Sequence, residues 1–152
     1  MWRGSSPTPA GLIYFTVDSE TLVAATFNGP GDPSLAERTT SVFHDAFIQY
    51  HGGNLNAFDN IRVAQPVTEF TESVYTHMRD IPPGDTATYG ELASRAGHPG
   101  AARAVGTACA RNDIVLVVPC HRVVASSGLG GYGYGADVKR VLLEHEGVNQ
   151  FS

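Results

Sequence analysis

The sequence contains the stretch Ile114-Val115-Leu116-Val117-Val118-Pro119-Cys120-His121-Arg122, from which the prediction of fold and chemistry starts. The residues before Pro119 are all apolar, which predicts a segment buried on all sides. This segment brings Cys120 out of the interior beside His121 and Arg122. A thiol is a good nucleophile only as the thiolate, which a positive charge, a hydrogen-bond donor or a helix N-terminus stabilises.

Cys120 has two interpretations that the residues alone leave open. In the first, it is a nucleophile that His121 assists through one bridging water, because neighbours in sequence often point apart. A carboxylate must then orient the imidazole, and Glu146 near the C-terminus is a candidate. In the second, Cys120 is an inert, buried, small hydrophobic residue, which is the usual fate of a lone cysteine.

Around this stretch, the C-terminal part predicts four helices. Their ranges are 70–78, 88–96, 100–111 and 136–146. Thr88 is suited to cap the second helix, which ends at Gly97, and Pro99 is suited to the first turn of the third. Two short helices joined by a glycine-containing turn predict a helix-turn-helix unit.

The N-terminal part predicts a small sheet with one helix. Segments 12–17 and 22–27 are rich in β-branched and aromatic residues and flank a turn, which indicates a β-hairpin. A helix is expected over 33–50, and a short strand at 60–63 is expected to rejoin the hairpin. Trp2 and Arg3 are expected to be an unstructured start. The fold class is therefore α/β (α+β), with a domain at 1–69 and a mainly helical domain at 70–152.

Composition excludes several classes of protein. The chain has 152 residues, 42% hydrophobic and 16% charged, which suits one domain or one domain with a small annex and excludes a disordered tail. A net charge of −5 argues against charge-driven coating of nucleic acid, although the arginines outnumber the acids between residues 89 and 122. With no apolar membrane span and no signal core, we expect no membrane partner and a cytoplasmic location.

Only two cysteines occur, Cys109 and Cys120, and their spacing matches no CxxC motif. The spacing therefore argues against a disulfide scaffold and a cysteine-rich zinc site, and we expect no metal.

The predicted helix at 100–111 has an uncommon surface. Arg103, Thr107 and Arg111 are spaced four apart on one stripe among Ala and Gly residues. Small residues allow a backbone to approach a partner closely, so this helix could enter a groove. The alternative, which the segment alone favours, is that an alanine-rich helix packs tightly inside the protein.

The C-terminal half resembles the O6-alkylguanine-DNA alkyltransferases. The matching elements occur in the order of that family: 81–84, 88–93, 97–106, Asn112, the stretch 118–124 around Pro-Cys-His-Arg-Val, 131–133, Lys139, 142–143 and 146–147. The resemblance covers about half of the chain, from residue 70 to residue 147. Residues 1–69 are similar more weakly, to the family's N-terminal sheet-and-helix domain, which is ribonuclease H-like.

The resemblance implies a role for each matching residue. Cys120 corresponds to the acceptor that takes the alkyl group from O6 of guanine in one irreversible displacement. His121 and Glu146 correspond to the relay that forms the thiolate through a water, and Asn112 to a residue that braces it. Tyr89 corresponds to the phenol that contacts the flipped base and protonates the departing guanine.

The resemblance also implies how DNA is held. Arg103 corresponds to the side chain inserted into the base stack, and the docking helix of the family enters the minor groove. The expected DNA contacts are Arg103, Tyr89, Ala102, Thr107 and Arg111. The implied partner is double-stranded DNA with O6-alkylguanine, bound by a protein that is monomeric when free and uses no cofactor.

The expected substrate pocket is formed by Val123, Tyr132, Gly133, Tyr134 and Cys109. Relatives usually have glycine where Tyr134 stands, so Tyr134 either narrows the range of alkyl groups or points to solvent. Cys109 stands where relatives often have an apolar residue and is expected to be structural. Thr71 and Tyr75 replace the usual Gln and Trp as variation in the core.

Two alternative functions remain. A non-catalytic alkyltransferase-like protein would bind the lesion and recruit other repair factors, but that group lacks the acceptor cysteine. A Cys/His hydrolase of unrelated type would need an oxyanion-forming motif, which the sequence does not contain.

Overall fold

In the first two N-terminal strands, buried side chains alternate with more exposed ones, as the period of two in a β-strand requires. The computed structural model describes residues 1–151. In it β1 (Trp2–Thr8), β2 (Gly11–Asp18) and β3 (Thr21–Thr26) are antiparallel, and β4 (Ala36–Glu37) adds to β1 in parallel, in the order β3-β2-β1-β4. The predicted hairpin is confirmed. The prediction of an unstructured start is wrong, since Trp2 is buried and pairs with Val17.

One helix covers this sheet, and it begins later than predicted. Helix α1 (Val42–His51) starts where the Ser41 hydroxyl accepts hydrogen bonds from the backbone N–H groups of Phe43 and His44. The predicted helix over 33–50 is therefore wrong in its first half, because β4 pairs with β1 there. Phe47 of α1 packs on Phe15 of the sheet, with ring centroids 5.0 Å apart.

The segment at 60–63 joins the sheet without forming the predicted strand. A single bridge pairs Val63 with Leu22, and Leu22 N–H donates to the Arg62 carbonyl at 2.8 Å. The prediction was right about the neighbour and wrong about the regular strand.

The remaining four helices belong to the C-terminal part of the chain, where α3 packs on a two-stranded parallel sheet. They are α2 (Glu69–Arg79), α3 (Tyr89–Arg95), α4 (Ala102–Ala110) and α5 (Ala136–His145), and the strands are β5 (Ala87–Thr88) and β6 (Val123–Val124). Helices α2, α3 and α4 pack against one another. The buried Tyr75 hydroxyl of α2 donates to the Ala108 carbonyl of α4 at 2.7 Å.

The starts of α3 and α4 differ in how well the sequence predicted them. Thr88 and Glu91 form a capping box at the start of α3, which confirms Thr88 as its cap. The expectation that Pro99 begins the next helix is wrong. Gly100 has a φ of +88°, in the left-handed region that stops a helix from forming there, and α4 begins at Ala102.

The chain divides into two compact units, and the sequence pattern does not indicate that residues 113–117 belong to the first of them. The first unit contains residues 1–65 together with 113–117, and the second contains 66–112 and the chain from Val118 onward. Residues 113–117 join the first unit because Ala25 bridges Ile114. Residues 114–118 are all buried, as expected. Within residues 1–151, no helix is long and apolar enough to span a membrane.

Candidate active site

The site begins at a 3-10 turn formed by Cys120–Arg122, directly before β6. The turn is closed by the Arg122 N–H, which donates to the Pro119 carbonyl at 2.9 Å. All three side chains of the turn are buried, and Cys120 is 5% exposed. Because β6 pairs with β5, the end of β5 delivers Tyr89, the first residue of α3, to the same region.

A buried carboxylate links the turn to the end of α5. Glu146 Oε2 lies 2.8 Å from His121 Nε2, and Arg122 donates to Glu146 through Nε at 2.8 Å and Nη2 at 3.2 Å. Burial alone would raise the pKa of Glu146, but His121 and Arg122 together hold that pKa well below its usual value. Glu146 is therefore a charged carboxylate at neutral pH.

His121 is arranged as a base. Burial lowers its pKa, against the opposing effect of Glu146, so the imidazole is neutral near pH 7. Because Nε2 faces a carboxylate, the ring proton belongs on Nε2 and the lone pair on Nδ1. In the part of the chain that the structure describes, Nδ1 is buried and has no hydrogen-bond partner.

Asn112 contacts the sulfur directly. Its side-chain amide donates to the Val118 carbonyl at 2.8 Å and to Cys120 Sγ at 3.4 Å. Burial raises the pKa of the Cys120 thiol, and Asn112, the Lys139 charge and the Tyr132 hydroxyl act in the opposite direction. The sulfur therefore rests in a site that disfavours charge by burial and already holds the Asn112 amide as a donor for a thiolate.

Tyr89 is half-buried against the glycine loop. Burial raises the pKa of its phenol, so the hydroxyl keeps its proton at neutral pH. A Cβ on Gly130 would lie 3.0 Å from the Tyr89 hydroxyl and 3.0 Å from the Ala125 nitrogen, at a φ of +76°. Gly130 therefore allows the loop to approach Tyr89 as closely as it does.

The residues expected to form the pocket differ in burial. Val123 is buried, Gly133 is exposed, and Tyr132 and Tyr134 are half-buried with ring centroids 5.7 Å apart. Tyr134 thus packs on Tyr132 instead of pointing away into solvent. Burial raises the pKa of Cys109 to about 12, which leaves this thiol protonated.

Helix α4 presents the predicted stripe on its outer face. Arg103, Thr107 and Arg111 are exposed, while Val105 and Ala108 on the opposite face are buried. The interpretation of α4 as a helix packed wholly inside is therefore wrong. Ala102 is half-buried at the start of the helix.

Gly130 and Lys139 carried no role in the sequence analysis, and Arg122 entered it only as a positive charge beside Cys120. Arg122 also donates to the Ile81 carbonyl through Nη1 at 2.8 Å, so it ties the turn to the end of α2 as well as to Glu146. Lys139 could have been noticed in the sequence, because it is the single lysine among the ten Lys and Arg residues. Residues 1–151 contain no group of three or more His, Cys, Asp or Glu side chains placed to hold a metal ion.

Comparison with known proteins identifies the family. Residues 69–148 match the family model described as "6-O-methylguanine DNA methyltransferase, DNA binding domain". A methylated-DNA–protein-cysteine methyltransferase of Methanosarcina acetivorans is 48% identical, over 97% of this chain and 99% of that protein. The chain belongs to the methylated-DNA–protein-cysteine methyltransferase family. A second member of this methyltransferase family, from Metallosphaera sedula, is 36% identical over 95% of the chain and 92% of that protein.

Solved structures of methyltransferases share this fold. The Mycobacterium tuberculosis OGT, crystallised in complex with DNA, superimposes with a TM-score of 0.86 at 34% identity, over 96% of this chain and 92% of that one. The O6-methylguanine-DNA methyltransferase of Pyrococcus kodakaraensis gives a TM-score of 0.74 at 28% identity, over 96% of this chain and 99% of that one. The mixed α/β class predicted for the chain is confirmed.

Proposed function

We propose that this methyltransferase repairs DNA by moving an alkyl group from O6 of guanine to Cys120. The O6–carbon bond breaks, a carbon–sulfur bond forms, and guanine is restored in the DNA. The product is a thioether, a poor leaving group, so each protein molecule reacts once. The observation that carries this proposal is the buried Cys120 sulfur, which accepts a hydrogen bond from Asn112 and is followed in the chain by His121, whose Nε2 lies 2.8 Å from Glu146.

The protons balance through two residues. The thiol proton passes through one water to Nδ1 of His121, and Glu146 stabilises the imidazolium that forms. At the other end, the Tyr89 hydroxyl gives its proton to the departing guanine. The imidazolium on His121 and the phenolate on Tyr89 then return to their neutral forms by exchanging one proton each with water. The raised pKa of Tyr89 supports this role, because a donor must still hold its proton when the reaction begins.

DNA would be held by α3 and α4, acting as a helix-turn-helix with α4 in the minor groove. A base inside a duplex cannot reach a buried sulfur, so it has to be rotated out, which costs a few kcal/mol. Arg103 would fill the space that the base leaves, and Thr107 and Arg111 would contact phosphates. The small Ala102 would allow close approach, and the exposed stripe on α4 supports this arrangement.

The first unit would be a diverged ribonuclease H-like domain with a structural role. The sheet order β3-β2-β1-β4, with β4 parallel to β1, supports this assignment. The monomeric state of the free protein, its cytoplasmic location and the expectation of no cofactor stay predictions.

Mass spectrometry after incubation with duplex DNA that contains O6-methylguanine tests the proposal. We expect one stable adduct with the added mass of a single CH₂ group, located on the peptide with Cys120. Cys109→Ala should retain the adduct and Cys120→Ala should lose it. Binding of the lesion without any adduct would reject transfer in favour of a lesion-recognition protein, and many turnovers per protein would also reject it.

A further inference from the structure

Lys139 is unusual for its burial. It is the single lysine of the sequence, the other nine of the ten basic residues are arginines, and it has no exposed surface. Lysine is almost never fully buried unless it is paired, since removing an ammonium group from water is costly. The buried charge of Lys139 therefore needs a partner of opposite charge.

The hydrogen bonds of Lys139 join the two segments that flank the sulfur. Nζ donates to the Val123 carbonyl at 2.7 Å, directly after the 3-10 turn, and to the Gly131 carbonyl at 3.0 Å, in the glycine loop. Both acceptors are neutral. No ion pair within residues 1–151 includes Lys139, and Glu146 is already held by His121 and Arg122.

The ionisable groups that face Lys139 are Cys109 of α4 and the two turn residues Cys120 and His121. Cys109 stays a thiol, since burial raises its pKa to about 12. The imidazole of His121 is neutral, and the Lys139 charge lowers its pKa further. Burial lowers the pKa of Lys139 to about 8, which still leaves the amine mainly charged at neutral pH.

We propose that Lys139 is the counter-ion of the Cys120 thiolate, held against the sulfur site by the Val123 and Gly131 carbonyls. The proposal rests on the proposed function, because it assigns a positioning residue to the same reaction. Asn112 stabilises the thiolate with one neutral donor, whereas Lys139 offsets its charge. Lys139 also disfavours the imidazolium that forms when His121 takes the thiol proton, so the stabilisation it gives the Cys120 thiolate has to exceed this penalty.

The pH dependence of alkylation by iodoacetamide, read on the Cys120 peptide by mass spectrometry, tests the charge without DNA. In Lys139→Met we expect the thiol pKa to rise by at least one unit, so that alkylation at pH 7 slows about tenfold or more. Arg140→Gln removes the same charge from the next position of α5 and should leave the pH profile unchanged. A Lys139→Met profile that coincides with the wild-type profile would overturn the proposal.

A second measurement does not depend on the folding of Lys139→Met. Because the chain has one lysine, labelling with ¹³Cε-lysine gives a single NMR signal whose titration reports Lys139. Coupling is reciprocal, so Cys120→Ala should lower the Lys139 pKa, whereas Cys109→Ala should not. The opposite pattern would make Cys109 the partner and would also overturn the proposal.

The two hypotheses fail separately. If DNA leaves an adduct on Cys120 but the lysine and the thiol do not influence each other, alkyl transfer stands and the counter-ion role falls. If the two groups are coupled but no adduct forms, the counter-ion role stands and the transfer function falls.

Discussion

The carboxylate of Glu146 is shared between two residues with different tasks. Arg122 donates to both of its oxygens and carries a permanent charge, so it supplies the electrostatic balance for the buried anion. His121 contributes one hydrogen bond and stays neutral. This division leaves Nδ1 of His121 available as a base, which it could not be if the imidazole had to neutralise the carboxylate.

Replacing Glu146 by glutamine should destabilise the protein strongly. The substitution leaves the Arg122 guanidinium buried without its anion, which typically costs about 3–5 kcal/mol. Urea unfolding measures this cost, and alkyl transfer should slow as well. Glu144→Gln, on the exposed side of the same helix, should change stability by less than about 0.5 kcal/mol. Equal stability of the Glu146 and Glu144 variants would contradict the account.

Gly130→Ala should slow transfer by misplacing Tyr89. The new Cβ would lie 3.0 Å from the phenol oxygen, and the φ of +76° strains any residue with a side chain. A positioned general acid contributes about 10²–10⁴-fold, so a loss of about tenfold or more in single-turnover rate is expected. Gly128→Ala, where a Cβ has open space, should keep the wild-type rate. Equal rates for both variants would show that Gly130 does not set the position of Tyr89.

The two faces of helix α4 differ in the size of their side chains as well as in their burial. Val105 and Ala108 pack inward, and Tyr75 of α2 fixes the helix through the Ala108 carbonyl. The outward face combines small residues with Arg103 and Arg111, separated by two helical turns. The buried face packs against the protein, and the exposed face carries only small side chains between the two arginines, which leaves room for close approach to a groove.

Substitutions of Arg103 in α4 and of Arg111 directly after it should impair different steps of repair. Arg103→Ala should bind DNA modestly worse and repair it much more slowly, because the proposed insertion of this side chain into the base stack would assist flipping. Arg111→Ala should weaken binding to any sequence and reduce the salt dependence of log K by about one, as expected for one lost phosphate contact. Binding isotherms at several salt concentrations and single-turnover rates separate these effects, with Arg62→Ala as the control. Identical repair rates for Arg103→Ala and wild type would remove Arg103 from flipping.

Across the whole chain, the sequence predicted single helices and strands better than it predicted which of them pair with each other. Thr88 and Glu91 define a cap within four residues, so the start of α3 was readable from the sequence. The segment before Ser41 was misassigned to a helix because its pairing with β1 is a long-range contact. Trp2 was missed for the same reason, since only the sheet reveals why it is buried.

For the site as well, the sequence predicted which residues take part but not how they are arranged in space. Cys120, His121 and Glu146 were named as candidates because the motif carries them, but only the fold shows that the imidazole and the carboxylate lie 2.8 Å apart. Lys139 is 19 residues from Cys120, and nothing in its helical spacing indicates a buried ammonium. Burial of a polar side chain depends on which segments close over it, and the sequence pattern does not contain that information.

The stability of the whole protein should fall on acidification from neutral pH. The pKa of His121 and of His44 is lowered in the folded state by burial, so the unfolded chain binds protons first as pH falls through about 6.5. The lowered pKa of Glu146 adds a second loss below about pH 5. Urea unfolding across this range should show both declines, and Glu146→Gln should lose the lower one. A free energy of unfolding that is constant from pH 7 to pH 4 would contradict these shifts.

The number of guanines restored per protein molecule tests whether the alkyl group ends on Cys120. A fixed amount of protein is mixed with an excess of duplex DNA that contains O6-methylguanine, and the restored guanine is counted over time. Wild type should reach a plateau at one guanine restored per protein molecule, and Cys120→Ala should restore none. Continued repair beyond one equivalent, or repair by Cys120→Ala, would contradict transfer to this sulfur.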